Sequence, residues 1–175
     1  FALMLGVALL IGQMAAKLHR EARIAGLRER RAIALSSLAR DLSGALVIEQ
    51  IVDIVDRHLP PLFGNDIALL LPDSNELVKS VGAHRADESV AQWVYGNQTE
   101  AGAGTQTLAA AAARYLPLKA PMRTRGVLAL TPGQTGVMDE PELKRLLDAC
   151  AAQIALALER VHYVEVAQDA LVKME

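Results

Sequence analysis

The chain has 175 residues, 52% of them apolar and only 3% aromatic, which accommodates one domain of about 130 residues plus a helical stem, with a core of Leu, Val, Ile and Ala. The net charge of −2 hides an asymmetry: residues 17–31 hold six Lys and Arg against two Glu, giving +4, and residues 32–175 hold twelve against eighteen Asp and Glu, giving −6. An acidic body without a basic stripe argues against nucleic-acid binding.

The N-terminal segment joins an apolar run to a basic one. Residues 1–16 carry no charge, and as a helix they would reach about 24 Å, short of the roughly 30 Å hydrocarbon core. We expect them to be the end of a transmembrane helix, with residues 17–31 as its basic juxtamembrane continuation on the cytoplasmic side. A signal peptide places its basic region before the apolar run, which is the reverse order, and a buried N-terminal helix is the next alternative.

The first half of the soluble part predicts helices and then a hairpin. Apolar residues at three- and four-residue steps extend a helix to residue 42, and a second helix follows over 46–58, with Leu46 facing inward and Pro60 and Pro61 closing it. The unbroken apolar run Asn65–Leu71 predicts a buried strand, which the turn Pro72–Asn75 joins to a second strand. The further elements are the strand Glu76–Ala83 and a short helix Asp87–Tyr95.

The second half predicts a loop, two strands and a long helix. Residues Thr99–Ala113 are rich in Gly and Ala and predict a loop followed by a short helix or turn. Two strands, Arg114–Lys119 and Arg125–Thr131, precede a helix over Asp139–Lys173. That helix carries a heptad seam, which favours a coiled coil; its residues are Leu143, Leu147, Cys150, Ile154, Ala157, Val161 and Val164.

This order predicts an α+β fold, an antiparallel sheet with helices on one side, in which Ile67–Leu71 and Val127–Leu130 are the central, most buried strands. The segment RYLPLKAPMRTRGVLAL (Arg114–Leu130) resembles the fourth and fifth strands of GAF domains. The segments ALSSLARDLSGA, LFGNDIALLLPD, GAGTQTLAAAAARYLPL and ALVKME resemble the KdpD family of sensor histidine kinases. The resemblance implies a GAF-like domain over 32–165 with long N- and C-terminal helices, and the start of a helix leading to a histidine-kinase dimerisation domain over 166–175.

The resemblance also implies a function. The segment is expected to be a cytoplasmic sensory or relay module of a potassium/turgor-type two-component sensor kinase in the inner membrane, acting as a homodimer on a kinase core and, through it, a response regulator. The alternative is a receptor domain that binds a small molecule or ion in the GAF pocket. The whole protein would be an ATP-dependent histidine kinase, whereas this segment has no phosphorylated-histidine motif or ATP-binding glycine boxes and is expected to have no catalytic residue and no cofactor.

Two sets of residues are candidates for binding. In GAF domains the region around GAGT borders the ligand pocket, so the pocket candidates are Trp93, Gly102, Gly104, Thr105, Tyr115, Arg123 and Arg125. Core packing of the aromatic residues and solvation of the arginines are the alternatives. GAGT lacks the Gly-Lys-Ser/Thr ending of a phosphate loop, so no nucleotide is expected there. The second set matches the family's arginine cluster and is expected to contact lipid head groups: Arg20, Arg23, Arg28, Arg30 and Arg31.

Metal and thiol chemistry have little support in the sequence. The four histidines are scattered and no metal-ligand spacing occurs. The single cysteine, Cys150, excludes an intramolecular disulfide, and its place on an apolar helix seam predicts a packing role rather than a reactive or pigment-bearing thiol.

Overall fold

The computed structural model describes residues 13, 14, 17, 26, 28–63, 66–131 and 140–172. The chain forms two units, Phe1–Ala34 and Leu35–Glu175. The described residues of the first unit are helical, but most of the predicted membrane segment, together with Arg20 and Arg23, lies outside the described residues. Within the described ranges, no helix is long and apolar enough to cross a membrane.

The second unit is a five-stranded antiparallel sheet with helices on both faces. The helix that enters it, α1, covers residues 35–44. The other helices are α2 (Ile48–His58), α3 (Pro60–Phe63), α4 (Glu88–Asn97) and α5 (Pro141–Val172). The strands are β1 (Asp66–Pro72), β2 (Val78–Val81), β3 (Ala101–Gly102), β4 (Arg114–Lys119) and β5 (Thr124–Thr131), in the spatial order β2-β1-β5-β4-β3.

The two apolar strands predicted to be central are confirmed as such. Strand β5 is the middle strand, and β1 pairs with it so that Leu69 lies opposite Leu128 and Leu70 opposite Val127. Neighbouring side chains in a strand point to opposite faces, so an unbroken apolar run must be covered on both sides. The predicted hairpin of β1 and β2 is also present, joined through residues 73–77.

The larger core lies on the face covered by α1, α2 and α5, which we call the α5 face. It contains Leu38 and Leu42 of α1, Ile51 and Val55 of α2, and the face of the sheet that carries Leu69. Most of the predicted heptad seam is buried in this same core: Leu143, Leu147, Cys150, Ile154, Ala157 and Val161. The interpretation of these residues as a coiled-coil surface was therefore wrong, because a helix lying on a sheet buries an apolar stripe of similar spacing. Val164, in contrast, is exposed.

The opposite face, the α4 face, corrects the expectation of helices on one side only. Helix α4 covers it, and the buried cluster there is rich in alanine. Asp87 caps this helix by accepting a hydrogen bond from the Ser89 N–H at 2.9 Å, and the acidic cap predicted the boundary to within one residue.

Two local predictions need correction. Leu46 was expected to face inward, but it precedes α2 and is 68% exposed. The predicted end of the second helix is confirmed, since α2 ends at His58 and Pro60 begins the separate short helix α3. The stretch Thr99–Ala113 contains the short strand β3 followed by turns and bends, with no helix, because Gly102 and Gly104 take positive φ angles and interrupt any regular element.

Candidate functional site

A cleft of about 460 Å³ lies where the β1–β2 turn, the start of β5 and the later turns of α5 meet. We call it the arginine cleft, after Arg123 and Arg125 in its wall. Thr124, His162, Glu76 and Glu165 are among its other lining residues. The β4–β5 connection supplies Arg123, the start of β5 supplies Arg125 and α5 supplies the imidazole, so segments distant in sequence form one polar site.

Arg125 is the fixed part of this cleft. It is only 8% exposed, its Nη2 lies 3.4 Å from Glu159 Oε1, and its guanidinium carbon lies 5.5 Å from the centre of the Tyr163 ring. Glu159 Oε1 also accepts a hydrogen bond from the Met122 N–H at 3.3 Å. The carboxylate and the aromatic face both favour a buried guanidinium. Arg125 is therefore held in place before any ligand arrives.

Two polar atoms of the cleft residues are buried without a hydrogen-bond partner. They are the Thr124 hydroxyl and the Arg125 Nε. A buried polar group left unpaired costs about 1–3 kcal/mol of stability. These two atoms in the cleft wall are therefore available for a hydrogen bond with a ligand.

The pKa of His162 depends on burial and on the charges that line the cleft. Burial lowers its pKa, and the charges of Arg125 and Arg123 lower it further, against the opposing effects of Glu165 and Glu159. Because the net effect is a lower pKa, the imidazole is neutral at pH 7 and can both donate and accept a hydrogen bond. Arg123 is the solvent-exposed counterpart of Arg125: its side chain is 51% exposed, and its Nη1 lies 4.0 Å from Glu76 Oε1.

A second cleft, of about 470 Å³, lies between β4 and the first turns of α5. In its wall Glu100 joins two cations: Oε2 lies 2.6 Å from Arg114 Nη2, and Oε1 lies 3.1 Å from Lys144 Nζ. Burial raises the pKa of Glu100, but the hydrogen bonds from Arg114 and Lys144 outweigh it, and the net pKa is lowered. Glu100 thus joins β4 to α5 through two cations, while the Nε of Arg114 stays buried without a hydrogen-bond partner.

The glycine-rich candidates form a self-contained turn. Gly102 belongs to β3, and a Cβ on it would lie 2.1 Å from the Ala113 carbonyl oxygen, so only glycine fits. Thr105 Oγ1 bonds to the carbonyls of Gly102 and Thr107, at 2.8 Å each. Gly104 is exposed at the tip. The hydroxyl is thus used to hold the turn, and the expectation that no phosphate loop operates here stays a prediction.

The aromatic candidates lie apart from the arginine cleft. Tyr115 is buried on the α4 face, where its hydroxyl accepts a hydrogen bond from the Asp87 N–H at 2.9 Å. Burial raises the pKa of Tyr115, so it is a neutral packing residue. Trp93 lies partly exposed on α4. The seven pocket candidates therefore do not meet in one place, and only Arg123 and Arg125 share a cleft.

The other predicted residues lie in the first unit or in the core of the second. Arg28, Arg30 and Arg31 lie on the described helix of the first unit. Cys150 is fully buried, and burial raises the pKa of its thiol to about 11, as its packing role requires. In the part of the chain that the structure describes, His, Cys, Asp and Glu side chains form no cluster of three that could hold a metal ion.

Sequence analysis missed Thr124, Glu159 and His162 as cleft residues. Glu159 is buried beside Arg125 although its side chain is charged. The sequence did contain one indication, because Glu159 and His162 are three residues apart and therefore lie on the same face of the predicted helix. Their partner strand, however, is distant in sequence.

Comparison with known proteins identifies the domain. The sequence profile of the GAF domain family matches residues 47–160. The sensor protein KdpD of Escherichia coli K12 is 33% identical over 165 residues, which cover 92% of this chain and 18% of that protein. The sensor protein KdpD of Clostridium acetobutylicum is 26% identical over 173 residues, covering 91% of this chain and 19% of that protein. The chain thus spans about a fifth of the length of these curated relatives.

Solved structures agree with the sequence matches. The GAF domain of the potassium sensor histidine kinase KdpD from Escherichia coli superimposes with a TM-score of 0.72 at 29% identity, covering 78% of this chain and 99% of that one. The GAF domain of an Acinetobacter phosphoenolpyruvate-protein phosphotransferase shares the fold, with a TM-score of 0.57 at 14% identity and coverage of 78% and 97%. The chain belongs to the GAF domain family, and its resemblance to the KdpD sensor proteins is confirmed.

Proposed function

We propose that this GAF domain is the sensory and relay module of a membrane-bound two-component sensor histidine kinase of the potassium/turgor type. It would pass movement of the membrane helices to a kinase core, and through that core to a response regulator. Its similarity to KdpD proteins supports this assignment. The contact that carries the proposal lies between the helix that enters the domain and the helix that leaves it.

Arg160 makes that contact. Its Nη2 donates hydrogen bonds to the Leu42 carbonyl at 2.5 Å and to the Ala45 carbonyl at 3.0 Å. These carbonyls end α1, where unpaired oxygens and the helix dipole favour a cation. Leu42 also lies in the same core as Val161 of α5. A shift of α1 would therefore pull directly on α5, which continues beyond the core to Val172.

The test is signalling in the whole receptor. Arg160→Gln removes the charge and part of the reach, and hydrogen bonds to a charged group contribute about 1.5–3 kcal/mol. We expect kinase output to lose its dependence on the stimulus while the domain stays folded. Arg145→Gln is the control, because Arg145 is exposed on the same helix near its start. A normal stimulus response in Arg160→Gln would contradict the relay.

The proposed homodimer requires a different surface from the seam first predicted. An apolar stripe of α5 remains exposed at steps of seven, three and four residues: Leu156, Tyr163, Val166 and Ala170. That spacing suits a parallel two-stranded coil. Tyr163→Asp should weaken the dimer in sedimentation equilibrium, whereas the exposed Gln168→Asp should leave it unchanged. Equal association of both variants would contradict this surface.

The basic cluster supports a place at the inner membrane. Each arginine near an anionic leaflet contributes about 1 kcal/mol, and salt screens the attraction. We propose that Arg20, Arg23, Arg28, Arg30 and Arg31 contact lipid head groups and fix residues 1–16 as the end of a transmembrane helix. Replacement of all five with Gln should change kinase output or its salt response, and an unchanged response at normal expression would contradict the contact.

The alternative is a receptor domain, and the arginine cleft is the observation that favours it. The cleft combines a held guanidinium, an unpaired hydroxyl and a neutral imidazole. Ligand binding distinguishes the two functions: a pure relay takes none, whereas a ligand at a hundred times its dissociation constant stabilises a receptor by about 2.7 kcal/mol.

A further inference from the structure

The wall of the arginine cleft contains two buried polar residues. Thr124 and Arg125 are more than nine-tenths buried, yet both line the cleft and both keep a polar atom without a partner. Arg125 cannot swing away, because Glu159 and the Tyr163 ring hold it from two sides. Arg125 therefore loses little side-chain conformational entropy when a ligand binds beside its guanidinium.

Two of the four carboxylates around the cleft, Asp73 and Glu159, already have partners. Asp73 accepts hydrogen bonds from the Asn75 and Leu77 N–H groups and lies 3.0 Å from Lys79 Nζ. Glu159 is paired with Arg125 and the Met122 N–H. Glu76 is 75% exposed and therefore well screened by solvent.

Six charged groups face His162, four carboxylates and two guanidiniums. They come from the β1–β2 turn, the start of β5 and α5 itself, and they are Asp73, Glu76, Arg123, Arg125, Glu159 and Glu165. The two arginines outweigh the two glutamates of α5 in their effect on the imidazole. A negatively charged group placed between Arg123 and Arg125 would be attracted to both guanidiniums.

We propose that the arginine cleft binds the oxyanion group of a small soluble molecule, a carboxylate or a phosphate, between Arg123, Thr124 and His162. Arg123 closes over the group from the solvent side, the Thr124 hydroxyl and the His162 imidazole donate hydrogen bonds to it, and Arg125 supplies fixed positive charge beneath it. The site deepens the receptor alternative by naming the place and the class of ligand, and it rests on that alternative. It differs from the GAGT turn, which uses its own hydroxyl.

An anion bound in the arginine cleft would act on α5, the helix proposed to carry the signal. His162 and Glu159 lie on either side of Arg160, which holds the end of α1. An anion bound to His162 favours the protonated imidazole, so binding and protonation reinforce each other. The expected signature is a raised His162 pKa in the presence of the anion and tighter binding as the pH falls toward the pKa.

The experiment uses the full chain in an uncharged detergent, inorganic phosphate as the probe and NMR titration of the His162 imidazole. We expect phosphate, but not chloride at equal ionic strength, to raise the His162 pKa along a saturable curve. Arg123→Gln should weaken phosphate binding about three- to tenfold, as loss of one charge-assisted contact does. Arg145→Gln, at an exposed arginine of α5 outside the cleft, should bind like the unmodified chain.

A second variant separates binding from folding. Thr124→Val removes the unpaired hydroxyl at nearly constant volume, so the thermal midpoint should stay or rise while phosphate binding weakens. Equal effects of phosphate and chloride on His162, or unchanged binding in both Arg123→Gln and Thr124→Val, would overturn the proposal. Either outcome leaves the relay through Arg160 to be judged by its own signalling test.

Discussion

The two faces of the central sheet are covered by side chains of different size. On the α5 face, large side chains of α1, α2 and α5 meet Leu69, Leu128 and their neighbours in one continuous core. On the α4 face, one ten-residue helix and several turns cover a smaller cluster in which half of the fully buried residues are alanines. The same strands supply both faces, because alternate residues point to opposite sides.

This difference bears on the proposed relay. Large interdigitated side chains resist displacement, so the α5 face is the one on which a movement of α1 would be passed to α5. The α4 face needs only to close the sheet, and small residues let the helix and turns approach it closely. Four predictions test the contrast, ordered from the largest expected effect to the smallest.

The largest effect is expected for a charge placed in the α5 face. Ile154→Asp buries a carboxylate among apolar side chains, and we expect it to lower the free energy of unfolding by at least about 4 kcal/mol. Ala152→Asp, two residues earlier and exposed, should stay within about 0.5 kcal/mol. Urea unfolding followed by circular dichroism measures both. Equal losses would mean that α5 does not pack as described.

Two adjacent leucines compare the faces directly. Leu69 points to the α5 face and Leu70 to the α4 face, and both are buried in β1. We expect Leu69→Ala to lower the free energy of unfolding by about 4 kcal/mol and Leu70→Ala by about 3 kcal/mol, because the lighter α4 cover can settle into the cavity. Urea unfolding of the two variants measures the difference, and the reverse order would refute the contrast between the faces.

A smaller effect is expected from the polar anchor of the α4 face. Tyr115→Phe leaves the Asp87 N–H without its acceptor and should cost about 1 kcal/mol in the free energy of unfolding. Tyr95→Phe is the control, since Tyr95 packs against the same cluster and is half-buried. Thermal unfolding checks both. If Tyr115→Phe is as stable as the control, the hydrogen bond does not hold α4 in place.

The smallest effect concerns Glu100, which joins Arg114 of β4 to Lys144 of α5. Its pKa is lower in the folded than in the unfolded chain, so its stabilising contribution is present above about pH 4.5 and is lost as the pH falls through the lower folded pKa. For a partly exposed carboxylate we expect less than about 1 kcal/mol. The urea midpoints of the unmodified chain and Glu100→Gln should differ at pH 7 and converge at pH 3, and a difference that persists at pH 3 would exclude the ion pairs as its source.

Local sequence features predicted the elements well where one interaction dominates. The runs of β1 and β5 are apolar without alternation, and burial on both faces is the only arrangement that satisfies them. The cap at Asp87 set the start of α4 for an equally local reason. The GAF family was readable from the segment Arg114–Leu130, and the match of the family profile to residues 47–160 confirms it.

The sequence by itself determined the strands, the long helices and the family, because periodicity and capping depend on residues close in the chain. Tertiary structure alone decided which partner covers each apolar stripe, and so turned the α5 seam from a dimer surface into a domain core. It also decided which of the seven pocket candidates meet. Arg125 and Glu159 are 34 residues apart and become partners only when β5 and α5 pack together, since a charge pair is defined by distance in space.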